Sequence, residues 1–175
     1  MRNASSRNGF SLLELIIYIA ILSVVMLVIV GIFLSISTGR GKSESQSEVD
    51  SNLRFAVDKI TGDLMTATSI TTPASAGSAS TTLTMATASG TVSYCVVSGT
   101  LYRQLAGTCS ATSSAITAGT VSVATSTFTR IENTNSVLSK TIVSIQIDMT
   151  MSFNATSPED QFSEEKITTI ALLNS

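Results

Sequence analysis

From Leu15 to Thr38 the chain runs for twenty-four residues without a formal charge. As a helix that stretch is about 36 Å long, against about 30 Å for the hydrocarbon layer of a bilayer. It is too long for the core of a cleaved secretory signal, about 7–15 residues. Behind it, Ser37-Thr38-Gly39-Arg40 offers no small-residue cleavage site. The segment therefore reads as a membrane anchor that stays on the protein. It also gathers most of the chain's continuous apolar sequence, and the remaining residues have the pattern of half-buried β structure.

One acidic residue interrupts the apolar stretch. Glu14 follows Phe10, Leu12 and Leu13 and precedes the uncharged run. A carboxylate at the centre of a span costs about 2.5–3.5 kcal/mol, so it usually has a partner or a function. Near one end of a span it can instead reach the interface, where a first helical turn favours negative charge. Position alone leaves both readings open.

Residues 1–9 are short, polar and basic through Arg2 and Arg7, and they end in Gly9. The ordered set of basic leader, Gly9-Phe10-Ser11-Leu12-Leu13-Glu14 and long apolar helix resembles the type IV prepilin signature. The motif covers about residues 1–38. In that family a membrane peptidase cuts after the glycine and methylates the new N-terminal residue. The resemblance implies a leader at 1–9, cleavage between Gly9 and Phe10, N-methylation of Phe10, and a subunit-assembly role for Glu14. It implies a prepilin peptidase, other pilin-like subunits, inner-membrane assembly machinery and the lipid bilayer as partners. It also implies a single pass of the cytoplasmic membrane with the C-terminal part outside, then a place in a filament or on the cell surface. Charge does not fix that orientation independently, because Arg40 and Lys42 behind the span balance Arg2 and Arg7.

After Gly39-Arg40-Gly41 the apolar residues recur as Val49, Leu53, Ala56/Val57, Ile60, Leu64 and Ala67, one face of an amphipathic helix. Asp50–Arg54, Arg54–Asp58 and Lys59–Asp63 are opposite charges at i,i+4 spacing. The reading is one helix from about Ser11 to Ser69, loosened near Gly39–Gly41, with two helices and a linker as the alternative. Pro73 is expected to end it.

The remainder carries strand signals. Val92–Val97 and Thr100–Leu105 flank a Ser98-Gly99 turn, and Val143–Phe153 alternates apolar and polar strictly over eleven residues. Thr120–Arg130 and Lys166–Leu173 read as further strands, and 74–90 and 106–119 as loop or weak strand. The expected fold is α+β: a long N-terminal helix packed on a C-terminal antiparallel β-sheet. Its divisions are a leader (1–9), an assembly helix in the membrane (10–38), an amphipathic helix (39–72) and a β domain (73–175). Helix on sheet is also the pilin architecture, and the Tyr94–Tyr102 hairpin resembles minor pilins and minor pseudopilins.

Cys95 and Cys109 are the only cysteines. In an oxidising compartment they would pair, and in a reducing one they would remain thiols. Two cysteines without histidine make a poor zinc site, and neither metal nor cofactor is expected. Histidine is absent, which removes the commonest general base, and no phosphate loop is present. Catalysis is not expected. Net charge is −2 and charged residues are 13% of the chain, about half the usual share. Arg103, Arg130, Lys140 and Lys166 make at most a small basic patch, so nucleic acid is not an expected partner. The function expected is a structural subunit, a minor pilin or pseudopilin, of a type IV pilus-like filament or a type II secretion or DNA-uptake machine. The alternative is a singly anchored surface protein whose helix merely tethers a binding domain.

Overall fold

A computed structural model describes residues 11–137 and 139–172, with the side chains of Ser37, Thr38, Arg40 and Glu159 left undescribed. The chain divides into two compact units, Met1–Gly41 and Lys42–Ser175. Helix α1 (Leu12–Thr66) passes through the division and is uninterrupted at Gly39 and Gly41, so the two-helix alternative does not occur. A helical glycine costs only about 1 kcal/mol, which helical neighbours on both sides can absorb.

In the first unit the described residues are helix α1 alone, with every described side chain from Ser11 to Ile36 exposed. The helix closes its own polar groups. The Ser23 hydroxyl donates to the Ile19 carbonyl at 2.6 Å, a bond available in lipid as in water.

In the second unit α1 ends at Thr66, and strand β1 (Ala67–Thr72) comes directly after it. This corrects the amphipathic helix expected over 39–72. Thr68, Ile70, Thr71 and Thr72 are β-branched and favour extended backbone. Pairing with β3 (Leu83–Thr87) supplies the hydrogen bonds that the helix gives up, with Ile70 opposite Met85. Pro73 therefore ends a strand rather than a helix.

The β region is antiparallel throughout, but it forms two sheets where one was expected. The first has the order β1-β3-β4-β5-β6, with β4 (Gly90–Val97), β5 (Thr100–Leu105) and β6 (Ser114–Ala115). The second has the order β2-β7-β8-β9, with β2 (Ala79–Ser80), β7 (Val121–Asn135), β8 (Lys140–Phe153) and β9 (Ser163–Ala171). Segments 74–90 and 106–119 thus hold β2, β3 and β6. The last strand starts three residues before Lys166, and Leu173 lies outside the described residues.

One core joins the helix to both sheets. Val49, Leu53, Ala56, Ile60 and Leu64 from α1 meet Leu83, Met85, Tyr94 and Leu101 from the first sheet. They also meet Phe128, Ile145, Ile147, Met149 and Met151 from the second. Each fully buried side chain of this kind contributes roughly 1.5–3 kcal/mol of transfer free energy. The β4–β5 turn has Ser98 at φ 49° and Gly99 at φ 77°, the positive pair a tight two-residue hairpin needs. Gly99 also lets this turn meet the other sheet. Its carbonyl accepts from the Val123 N–H at 2.7 Å, and a β-carbon there would overlap the Ser122 hydroxyl.

Candidate functional site

Glu14 lies in the first turn of α1, where the open backbone N–H groups favour a carboxylate. The helix start is marked by the Leu15 N–H donating to the Ser11 carbonyl at 3.2 Å. Around Glu14 are exposed apolar side chains: Leu13 at 70%, Ile17 at 51% and Tyr18 at 61%. Among the described residues no cation pairs with Glu14. The result is an acidic group at the head of an otherwise apolar, uncovered helix. Gly9 and Phe10, the expected cleavage and methylation positions, lie outside the described residues.

The second unit carries polar locks that sequence reasoning missed. Asp63, expected to pair with Lys59 on the helix surface, turns toward the first sheet. The Arg103 Nε donates to its Oδ2 at 2.6 Å and the Arg103 Nη2 to its Oδ1 at 3.1 Å. The Tyr94 hydroxyl donates to the same Oδ2 at 2.6 Å. The side chains of Arg103 and Asp63 are only 17% and 15% exposed. Burial opposes the Asp63 charge. The hydrogen bonds from Arg103 and Tyr94, with the Arg103 and Lys59 charges, outweigh it and hold the carboxyl below its usual range. Burial first, then the bond to Asp63, pushes the Tyr94 hydroxyl far above its ordinary value, so it stays a donor. The bidentate geometry ties helix to sheet in a fixed register. No local spacing announces this cluster, because Asp63 and Arg103 are 40 residues apart.

Arg130 performs a similar task between the sheets. Its Nε donates to Glu132 Oε1 at 2.6 Å, and its Nη1 donates to the Ile70 carbonyl at 3.1 Å and the Ala74 carbonyl at 3.3 Å. Arg103 and Arg130 were two of the four residues in the candidate basic patch, and both are held in internal ion pairs. Nearer the start of the unit, Asn52 accepts from the Ala118 N–H at 2.9 Å and Glu48 accepts from the Thr120 hydroxyl at 2.8 Å. The Asn154 amide, in an Asn-Ala-Thr sequon, donates to the Gly119 carbonyl at 2.9 Å.

Cys95 on β4 and Cys109 in the loop after β5 are bonded to each other, with Cα atoms 5.9 Å apart. By chain entropy a loop of this length is worth about 3 kcal/mol. Among the described residues no group of three or more His, Cys, Asp or Glu could hold a metal ion.

The N-terminal helix is long and apolar enough to cross a membrane, and its apolar window is unburied. No curated protein and no solved structure matches the chain. The family described as the prokaryotic N-terminal methylation motif matches residues 4–30. That stretch contains Gly9, Phe10, Glu14 and the first half of the apolar run. The motif implies processing by a prepilin peptidase and assembly with pilin-like subunits. The chain thus carries the type IV prepilin signature at its N-terminus, with an uncovered apolar helix behind it.

Proposed function

We propose that the chain is a minor pilin or minor pseudopilin, a non-catalytic structural subunit of a pilus-like filament or of a secretion or DNA-uptake machine. The observation that carries this reading is the methylation motif over residues 4–30. In this account the chain is cut after Gly9, methylated at Phe10 and held in the cytoplasmic membrane by one pass, with its β unit outside.

The assembly step rests on two charges. Cleavage gives Phe10 an ammonium, and Glu14 lies four residues on, a spacing that a helical turn brings to one face. In a staggered bundle of such helices, Glu14 of one subunit meets the Phe10 amine of the next. In a dry bundle the attraction is much stronger than in water, and a carboxylate left unpaired there is penalised. The pair therefore sets register between subunits.

Glu14→Ala tests this step in cells that assemble the filament. The variant is expected to be cleaved and inserted normally but to stay in the membrane fraction, absent from sheared assemblies. Normal incorporation of the variant would refute the role of Glu14.

A further inference from the structure

We propose that the distal end of the β7–β8 hairpin is a pairing edge for a second copy of this chain, with Glu132 of one copy opposite Thr134 of the other. The inference does not depend on the filament reading. It comes from a hairpin that outruns the sheet around it.

On one side, β2 pairs only with Thr129 and Phe128, and the last bonds across that edge are at Arg130. There the Gly77 N–H donates to the Arg130 carbonyl at 2.8 Å, and the Arg130 N–H donates to the Ser78 carbonyl at 3.0 Å. On the other side, β9 ends opposite Ser144, and the Leu172 N–H closes on the Val143 carbonyl at 2.9 Å. Beyond these points, the strand partners of Ile131–Thr134 among the described residues are those of β8 from Thr141 to Ser144. A two-stranded ribbon is marginal in water without a further layer. Its Ile131 and Ile142 are 40% and 52% exposed, and they share one face because Ile142 lies opposite Asn133.

The direction of the open backbone groups is set at Arg130. Its N–H and carbonyl point away from β8, toward β2. With a period of two, the N–H and carbonyl of Glu132 and Thr134 point the same way. These four groups form an edge that nothing among the described residues blunts. Natural edges are protected by Lys, Pro, bulges or covering loops. The stretch Ile131-Glu132-Asn133-Thr134-Asn135 has no Lys or Pro, and the β7 bulge lies far back at Val123/Thr125. Its one charge, Glu132, is already bonded to Arg130.

An identical strand is complementary to this edge in one antiparallel register. With Asn133 facing Asn133 of the second copy, Glu132 and Thr134 exchange both backbone bonds twice, and all four open groups are satisfied. Setting Glu132 against Glu132 brings like charges together, which is unfavourable. Setting Thr134 against Thr134 places Glu132 opposite Ser136, where the hairpin has already turned. The edge offers no charge pattern to select a foreign strand, and the contact is self-complementary about a two-fold axis.

The test uses the full chain in detergent micelles with one added thiol, since no free cysteine exists among the described residues. Asn133 is exposed and would face its copy at a non-hydrogen-bonded position, with Cα atoms close enough to bridge. Mild oxidation of Asn133→Cys is expected to give about tenfold more disulfide dimer than Ile167→Cys, which is also exposed but lies on β9. Adding Thr134→Pro removes an outward N–H that β8 does not use, and it should return the dimer to the control level. Three results overturn the proposal: Asn133→Cys dimer no higher than Ile167→Cys, dimer unchanged by Thr134→Pro, or an adduct to a different protein replacing the dimer in native membranes.

Discussion

Ile19 and Ile60 belong to the same helix, yet Ile19 is 57% exposed and Ile60 is wholly buried. The contrast extends to the two units. Between Leu12 and Ile36 the apolar side chains surround the helix and none is covered. Between Val49 and Leu64 all but the exposed Phe55 form one stripe, and two sheets cover it. The residue types are nearly the same, so hydrophobicity alone does not separate the two. Periodicity does. A stripe can be satisfied by the chain's own sheets, while a helix apolar on all sides needs lipid or other helices.

The sharpest way to break this comparison is to truncate one side chain in each unit. Phe128→Ala removes a fully buried ring and should cost about 3–5 kcal/mol. Ile21→Ala, in the exposed apolar stretch, should leave the unfolding of the second unit unchanged. Denaturant melts of the full chain in micelles, followed by near-ultraviolet circular dichroism, measure both. Equal losses would contradict the division.

A second measurement sharpens it through charge. Glu14 has no cation among the described residues, whereas Asp63 has Arg103 and Tyr94. Removing the carboxylate in Asp63→Ala should cost roughly 3 kcal/mol, because it strands a mostly buried guanidinium. Asp63 is held below its usual range in the folded state, so its contribution is fully present above the unfolded value of about 3.9. It is lost as pH falls through the lower folded value. Wild type should therefore lose stability on acidification below about pH 4 more steeply than Asp63→Asn. Parallel curves would show that the cluster does not supply this dependence.

The smallest effect concerns a defect in the core. The Ser126 hydroxyl is buried with no hydrogen-bond partner among the described residues. Ser126→Ala should leave stability unchanged or raise it by about 1 kcal/mol, the reverse of an ordinary core truncation. A loss of more than about 1 kcal/mol would mean the hydroxyl is satisfied after all.

Much of this architecture was legible because it is periodic. Ile145, Ile147, Met149 and Met151 alternate in the sequence and all face the core. Val49, Leu53, Ile60 and Leu64 mark their helix face, and Ser98-Gly99 marks its turn. The split into two sheets was not legible, since β1, β2 and β6 are short runs rich in Ala, Ser and Thr that become strands only through distant neighbours. The Asp63–Arg103 lock was hidden for the same reason, with Lys59 offering a plausible local partner. Glu14 is a different case. Its position left interface and function equally open, and its assembly role is only what the resemblance of the surrounding motif implies.

The central claim is that the uncovered helix belongs to an assembly and not to a simple anchor. The mass of the mature N-terminal peptide from the native membrane tests it most directly. The account predicts a chain that begins at Phe10 with one added methyl group. A chain that still begins at Met1 would contradict it.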